Sequence, residues 1–174
     1  YRLAPGDIIN VVIRGLNPLD KKLQISMDGM IVLPNLQPIF VEGLNLELIE
    51  KKLLEVIQID DFSATVNVSL NAARLVPIQI TGAAQQPKTI AVPAYTPFSR
   101  VISLVGGIRK DGSFRDITLI DSSNIEISVD LYDLLRGKNT FNDPILKNAT
   151  RIHINDIGLT VAITGFVGRP GIFE

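Results

Sequence analysis

Hydrophobic and polar positions alternate along the first part of the chain in the way that β-strands require. Residues 7–14 (DIINVVIR) are rich in β-branched residues, and the runs KLQISM and MIVLP enclose the dipeptide Asp28-Gly29. Asp-Gly between two apolar runs favours a tight turn, because a two-residue turn needs positive φ. The pattern predicts a β-hairpin centred on Asp28 and Gly29, and a further strand at residues 64–70.

The spacing of apolar residues changes at residues 46–57. Apolar residues there fall three or four positions apart, which places them on one face of a helix: Leu46, Ile49, Leu53 and Val56. Asn45 stands where its side chain can cap the N-terminus of this helix. We therefore predict an amphipathic helix over residues 46–57.

The second part of the chain, residues 74–158, has its strands and helices in a different order. Two predicted strands enclose a turn at residues 82–87, and a helix follows, with Thr96 as its cap, Pro97 as its first residue and Gly106-Gly107 at its end. The remaining predicted elements are strands at residues 115–120, 125–129 and 151–155 and a short helix at residues 130–136 that stops at Gly137. A hairpin followed by one helix and further strands is the order of a β-grasp domain, and segregated elements place the chain in the α+β class.

The end of the chain repeats a segment of this second part. Residues 161–174 (VAITGFVGRPGIFE) align without a gap with residues 78–91 (IQITGAAQQPKTIA), and the two share a Thr-Gly pair and a later proline. This strand-and-turn phrase is common, so chance recurrence is the alternative to a duplicated module. The predicted domains are residues 1–73, residues 74–158 and, as the first hairpin of a second β-grasp domain, residues 159–174.

The composition is that of an ordinary globular protein. The chain has 174 residues, of which 46% are hydrophobic and 20% charged, with a net charge of −1, no cysteine and one histidine. Without an excess of Lys and Arg we expect no nucleic-acid partner, and without cysteine neither a disulfide framework nor a thiolate metal site. No apolar run reaches the length of a membrane-spanning helix.

The sequence offers few groups for catalysis. It contains no G-x-S-x-G, P-loop, dinucleotide-binding or H-E-x-x-H motif. His153 alternates with apolar residues and is expected on the solvent-facing side of a strand. The pair Asp60-Asp61 is a candidate general acid and base but is explained more simply as a polar connection, and Asp7 is placed to brace the first strand. We predict no catalytic residue, no cofactor and no metal site.

One loop carries a cluster of cations. Within GGIRKDGSFRD (residues 106–116) lie Arg109, Lys110 and Arg115, together with glycines and one aromatic residue. Arg and Lys side chains offer charge and hydrogen bonds to an acidic saccharide, so these three residues are candidate glycan contacts. Solvated hairpin tips have a similar composition, and the sequence leaves both interpretations open.

Several of these motifs together resemble one family. The opening YRLAPGD, the run ISMDGMIVLP, the helix segment VEGLNLELIEKKLLEVI and the strand ATVNVSL resemble, in this order, the motifs of bacterial polysaccharide export proteins, the outer-membrane translocon components for capsule and exopolysaccharide. The segment from Val76 onward is similar to a soluble-ligand-binding β-grasp (SLBB) domain. The resemblance implies an N-terminal export domain followed by β-grasp modules in series.

The resemblance implies a conduit without catalytic activity. Family members form homo-oligomeric rings in the periplasm, associated with the outer membrane, which pass polysaccharide and meet an inner-membrane polysaccharide co-polymerase, a tyrosine autokinase. It implies a lipoprotein for the full-length protein, although the family's lipid-modified cysteine and amphipathic C-terminal helix are missing from these residues. The alternatives are a monomeric periplasmic glycan-binding or scaffold module that does not transport, and an enzyme that acts on glycan.

Overall fold

The computed structural model describes residues 1–135, 143–168 and 170–174. These residues form two compact units, Tyr1–Leu75 and Val76–Glu174. Strands are grouped into several sheets and the helices lie between them in the chain, so the predicted α+β class is confirmed.

The first unit is built on a three-stranded antiparallel sheet. Its central strand is β1 (Ile8–Arg14), which pairs with β2 (Leu19–Gln24) on one side and with β5 (Thr65–Ala72) on the other. A short second ladder joins β3 (Met30–Ile31) to β4 (Ile39–Phe40). Helix α1 (Leu46–Ile57) connects β4 to β5.

The core of this unit forms where the apolar side of β1 meets the apolar face of α1. One cluster of packed side chains contains these fully buried residues of the two elements: Ile9, Val11, Ile49 and Leu53. Burying each such side chain stabilises the fold by about 1.5–3 kcal/mol. Asn45 accepts at Oδ1 a hydrogen bond of 2.8 Å from the Leu48 amide, so the predicted helix and its cap are both confirmed.

The turn at Asp28-Gly29 forms, but the hairpin predicted around it does not. The Ser26 amide donates to the Met30 carbonyl at 2.9 Å, and Gly29 has a φ of 72°, as the turn requires. On either side of this turn, however, β2 pairs with β1, and β3 pairs with β4. The chain changes partners here because pairing with β1 brings Leu23 of β2 into the buried core.

The second unit contains one five-stranded sheet. Its strands are β6 (Leu75–Gly82), β7 (Lys88–Pro93), β9 (Gly112–Asp121), β10 (Glu126–Val129) and β12 (Thr150–Asp156). In space they follow the order β10-β9-β12-β6-β7. β12 runs parallel to β6 and antiparallel to β9. A hairpin whose first strand lies parallel to the last strand of the sheet, with a helix in the connection, is the predicted β-grasp arrangement.

Helix α2 (Phe98–Leu104) follows the hairpin, and its start differs from the prediction. Thr96 and Pro97 form a short strand, β8, that pairs with β11 (Ile145–Leu146), and Pro97 occupies the N-cap position without a side-chain cap. Instead, the Asp143 carboxylate accepts hydrogen bonds from the amide, at 3.1 Å, and from the hydroxyl of Ser99. The prediction of a Thr96 cap is therefore wrong, because a residue 44 positions away supplies these acceptors.

The ends of α2 and of the last helix agree with the sequence more closely. The Gly106 amide donates to the Ser103 carbonyl at 3.1 Å, and Gly106 has a φ of 83°, so the predicted glycine stop is confirmed. The predicted short helix forms as α3 (Tyr132–Leu135). The Asp130 carboxylate accepts a hydrogen bond from the Tyr132 amide at the start of this helix. Its predicted end at Arg136-Gly137 lies outside the described residues.

The last residues form a hairpin of β13 (Val161–Ile163) and β14 (Gly171–Phe173). In the alignment of the repeated segments β14 begins at the position of Lys88, where β7 begins, and Gly165 takes the position of Gly82. These two glycines have positive φ, 95° and 79°. The repeat therefore extends from the sequence to the local conformation. That residues 159–174 begin a second β-grasp domain stays a prediction.

Candidate functional site

A buried carboxylate explains the opening motif YRLAPGD. Asp7 accepts at Oδ1 hydrogen bonds from the Tyr1 hydroxyl at 2.6 Å and from the Arg74 amide at 2.7 Å. Its Oδ2 accepts from the Ala4 amide at 2.8 Å and lies 3.5 Å from a guanidinium nitrogen of Arg74. A buried carboxylate is costly unless it is paired and hydrogen-bonded, so this arrangement ties the entry of β1 to the residues that follow β5. The predicted bracing role of Asp7 is confirmed.

The Asp60-Asp61 pair lies in the turn that follows α1. Asp61 is only 7% exposed and accepts hydrogen bonds from the Leu16 amide at 2.6 Å and from the Ser63 hydroxyl at 2.7 Å. These hydrogen bonds, above all that from the Leu16 amide, hold the pKa of Asp61 below its ordinary value. A side chain at Gly15 would collide with this carboxylate, so a glycine is needed there.

The chemistry of Asp61 favours a structural role. A general acid at neutral pH needs a raised pKa, whereas the hydrogen bonds of Asp61 lower it. Its neighbour Asp60 is exposed, and its amide donates to the Ile57 carbonyl at 3.2 Å, as in a continuing helical turn. Asp61 thus joins the β1–β2 loop to the α1–β5 turn, and the exposed Asp60 agrees with the interpretation of a polar connection.

His153 lies on the solvent-facing side of β12, as the alternating pattern predicts. Its Nδ1 is 2.9 Å from the Thr81 hydroxyl on the neighbouring parallel strand β6. Arg151, two residues earlier, is exposed on the same side. Among the described residues, no group of three or more His, Asp or Glu side chains is arranged to hold a metal ion.

The three cations of the predicted glycan-binding loop do not form one cluster directed toward a common ligand. Arg109 donates from Nε to Asp111 at 2.8 Å and from its terminal nitrogen to the other carboxylate oxygen at 2.6 Å. This pairing raises the pKa of Arg109 and lowers the pKa of Asp111. Lys110, between them, is exposed. The Arg109 amide donates to the Ala83 carbonyl at 2.8 Å, so the loop backbone is held against the end of the β6–β7 hairpin.

Arg115 is committed to an aromatic ring. Its guanidinium carbon lies 4.6 Å from the centre of the Tyr132 ring, within the range of a cation–π contact. Phe114 meets the same ring edge-on, with 6.3 Å between ring centres. Glu174 at the end of the described chain accepts a hydrogen bond from the Phe114 amide at 3.2 Å. Arg115 therefore sits in a small junction between β9, α3 and the tail, and its contact with glycan stays a prediction.

An open groove on the second unit was not anticipated from the sequence. It has a volume of about 370 Å³ and runs across the outer face of the sheet, where Gln79 of β6, Thr89 of β7 and Arg151 of β12 line it. The alternating pattern places each of these residues on a solvent-facing side. Only the strand order of the sheet reveals that they are neighbours.

No helix within the described parts of the chain combines the length and the apolar character that crossing a membrane requires.

Comparison with known proteins identifies both units. Residues 1–70 match the family model described as polysaccharide biosynthesis/export protein, and residues 77–124 match the model of the SLBB domain. The chain is 32% and 31% identical, over 144 residues, to two polysialic acid transport proteins named KpsD from Escherichia coli. The alignment covers 79% of this chain and 25% of each relative, so the chain spans about a quarter of their length.

The matched regions fall on the two compact units in the order that the fold shows. The export match covers the sheet and helix of the first unit, and the SLBB match begins with the β6–β7 hairpin and extends into β9 and the turn that follows it. These two matches and the identity to KpsD together support a protein of the polysaccharide biosynthesis/export family.

Proposed function

We propose that the full-length protein is a non-catalytic part of an export channel for capsular or extracellular polysaccharide. The observation that carries this proposal is the ordered pair of an export domain and an SLBB domain, together with the similarity to a polysialic acid transport protein. A passage for a hydrated polymer needs wall material and no reacting group. The commitment of Asp7 and Asp61 to backbone hydrogen bonds is consistent with such a role.

The conduit is a closed ring of identical subunits. Rings form when one surface of a subunit contacts a different surface of its neighbour and the rotation closes. Exposed strand edges are suitable contact surfaces, because their backbone groups can pair with another strand. In the first unit the β2 edge carries Lys21 and Lys22, and the Val68 amide of β5 donates to Glu50 at 2.7 Å. The two edge strands of the second unit, β7 and β10, carry one charged residue each, Lys88 and Glu126, and are the edges suited to subunit contact.

The ring lies in the periplasm and is associated with the outer membrane, where the full-length protein is held by a lipid anchor. Its further partner is the inner-membrane polysaccharide co-polymerase, a tyrosine autokinase, which delivers the polymer. Arg109, Lys110 and Arg115 contact the polymer as it passes. Their exposed or partly exposed positions around the α2–β9 loop support this assignment.

Deletion and complementation in the source bacterium test the export function. Loss of the gene is expected to remove polysaccharide from the cell surface, and the full-length protein is expected to restore it. Normal surface polysaccharide in the deletion strain would contradict the proposal.

Native mass spectrometry of the purified full-length protein tests the ring. A single closed oligomer is expected, and fractionation should recover it with the outer membrane. A strict monomer at high concentration that binds glycan saturably would support the alternative, a periplasmic glycan-binding or scaffold module.

A further inference from the structure

The outer face of the five-stranded sheet in the second unit carries two rows of side chains, which are polar except for Ile120. Strand register places Arg151 of β12 beside Gln79 of β6 and beside Ile120 of β9. The next outward-facing position forms a second row of Thr118, His153 and Thr81 on β9, β12 and β6. Each row therefore runs across the strands, at right angles to the chain direction.

The first row forms the floor of the groove of about 370 Å³. Thr89 of the edge strand β7 and Asn124 of the β9–β10 turn line it at opposite sides, and Pro77 and Ile120 add apolar surface. A volume of this size falls in the range of small-ligand sites, about 300–1,000 Å³. A second groove, on the first unit, is larger at about 470 Å³, but its lining is mainly apolar.

A hydrogen bond between Arg151 and Gln79 orients both side chains in the groove. Arg151 donates from Nε to the amide oxygen of Gln79 at 3.1 Å, which fixes both side chains on the floor of the groove. This hydrogen bond leaves the outer guanidinium N–H groups and the Gln79 NH₂ group as donors toward a ligand. Asp121, at the rim, already accepts at Oδ1 from the Ser123 and Ile125 amides, so its main task is to hold the β9–β10 turn.

This combination of groups suits a ligand made of hydroxyl groups. A sugar hydroxyl both donates and accepts hydrogen bonds. Side-chain amides, hydroxyls and a guanidinium provide the matching donors and acceptors, and a cluster of cations is not needed. The groove offers two amides, a Thr hydroxyl and one Arg, with the carboxylate of Asp121 at its rim. The groove is less suited to a phosphate group, because Arg151 is its one cation and the carboxylate of Asp121 at the rim would repel a phosphate.

We propose that this groove binds one or two sugar residues of a carbohydrate chain through Gln79, Arg151, Thr89 and Asn124. The inference rests on the proposed export function and adds to it the surface along which the polymer is held. Few hydrogen bonds and an open shape give weak binding, which a polymer in transit requires. The row of Thr118, His153 and Thr81 continues the polar surface beyond the groove.

Titration of the isotope-labelled 174-residue chain with oligosaccharides, followed by NMR of its amide signals, tests the groove. The probes are a sialic acid oligomer and a neutral glucose oligomer of equal length. We expect both to shift the signals of residues around Gln79, Arg151 and Asn124, with a Kd near the millimolar range.

Matched double variants separate this groove from the rest of the surface. Gln79→Ala with Arg151→Ala is expected to weaken binding about tenfold or more, since several hydrogen bonds are lost. Gln86→Ala with Arg100→Ala removes an exposed amide and an exposed guanidinium elsewhere in the unit and is expected to leave binding unchanged. Thermal unfolding of each variant shows whether the fold is retained. Thr89→Ala is a smaller change in the groove and is expected to weaken binding about threefold.

Three outcomes would contradict carbohydrate binding by the groove without contradicting the proposed export function. They are the absence of binding by either oligosaccharide, binding that shifts only the signals around Lys110, and binding that is unaffected by the Gln79 and Arg151 changes. Export itself is decided separately by complementation of the deletion strain.

Discussion

At the scale of single residues, two buried carboxylates hold segments of chain that are distant in sequence. Asp7 links the N-terminal residues to Arg74, and Asp61 links the α1–β5 turn to Leu16. Both act through backbone amides, so their effect is to fix the ends of the β1–β5 ladder. Neither needs a neighbouring acid to do so.

Replacing Asp7 with asparagine is expected to destabilise the first unit by about 2–4 kcal/mol. Asparagine keeps the size of the side chain but removes the charge beside Arg74 and turns one acceptor into a donor. Urea-induced unfolding followed by circular dichroism measures the loss. Asp20→Asn, on the exposed side of β2, is the control. Equal unfolding midpoints for the two variants would show that the buried brace contributes no stability.

The lowered pKa of Asp61 gives a stability that depends on pH. Its charged form is favoured in the folded chain, so the contribution is present above the ordinary pKa of 3.8 and is lost as the pH falls through the lower, folded value. Asp61→Asn should therefore melt below the wild type at neutral pH, and the gap should close in acid. Asp60→Asn, at the exposed neighbour, should follow the wild type throughout. A gap for Asp61→Asn of constant size down to strongly acidic pH would contradict this cause.

At the scale of elements, helix α1 shields a strand edge as well as covering the core. Glu50 accepts hydrogen bonds from the Val68 amide at 2.7 Å and from the Asn67 side chain at 3.2 Å. Strand β5 carries no charged residue of its own, so its edge would otherwise be open to another strand.

Glu50→Ala is expected to lower stability by about 1–2 kcal/mol and to increase self-association through β5. Glu47→Ala is the matched control, because Glu47 lies on the same helix and forms an exposed pair with Lys51 at 3.4 Å. Chemical denaturation and sedimentation velocity measure the two effects. If both variants behave alike, Glu50 does not protect the edge.

The repeated glycines provide a comparison of two hairpins. Gly82 and Gly165 both have positive φ, but a side chain at Gly82 would strike the Ile154 carbonyl, whereas no atom of the described residues lies within 4 Å of that position at Gly165. Gly82→Ala is therefore expected to cost more than about 2 kcal/mol, and Gly165→Ala about 1 kcal/mol from the backbone alone. Thermal unfolding of the second unit measures both. Equal losses would mean that the contact with Ile154 is not decisive.

At the scale of the whole molecule, the two repeated hairpins differ in what covers them. Ile78 and Ile80 of β6 are buried, whereas the aligned residues of β13, Val161 and Ile163, are 63% and 39% exposed. The apolar side chains of β13 have the same spacing as those of β6, but in the described part of the chain β13 pairs with β14 alone, whereas β6 lies inside the five-stranded sheet.

Hydrogen exchange is expected to reflect this difference. In the 174-residue chain the β6 amides should exchange slowly and the β13 amides quickly, because only β6 lies within a covered sheet. In the full-length protein the β13 amides should become protected as the second β-grasp module forms. Fast exchange of β13 in both proteins would count against a second module.

Much of the fold was predictable because its signals are local. The helix over residues 46–57, its Asn45 cap and the glycine stop after α2 each depend on neighbours within one turn. The hairpin at Asp28-Gly29 was predicted wrongly because the turn is local but strand pairing is not. The cap of α2 was predicted wrongly for the same reason, since Asp143 reaches it from a distant segment.

The candidate sites show the same division. Periodicity alone placed His153 and Arg151 on a solvent-facing side, and composition drew attention to Arg109, Lys110 and Arg115. In the structure Arg109 forms an ion pair with Asp111, and Arg115 makes a cation–π contact with Tyr132. Composition does not specify either contact.

The sequence by itself determined the class of the fold, the length of α1, the resemblance to the export family and the repeated segment at the tail, because periodicity and ordered motifs are properties of the chain as written. Only the tertiary structure decided which strands are neighbours, and with them the groove between Gln79, Arg151 and Thr89. The physical reason is that a strand's alternation fixes which face each side chain takes, while its partners are chosen by the core that all strands bury together.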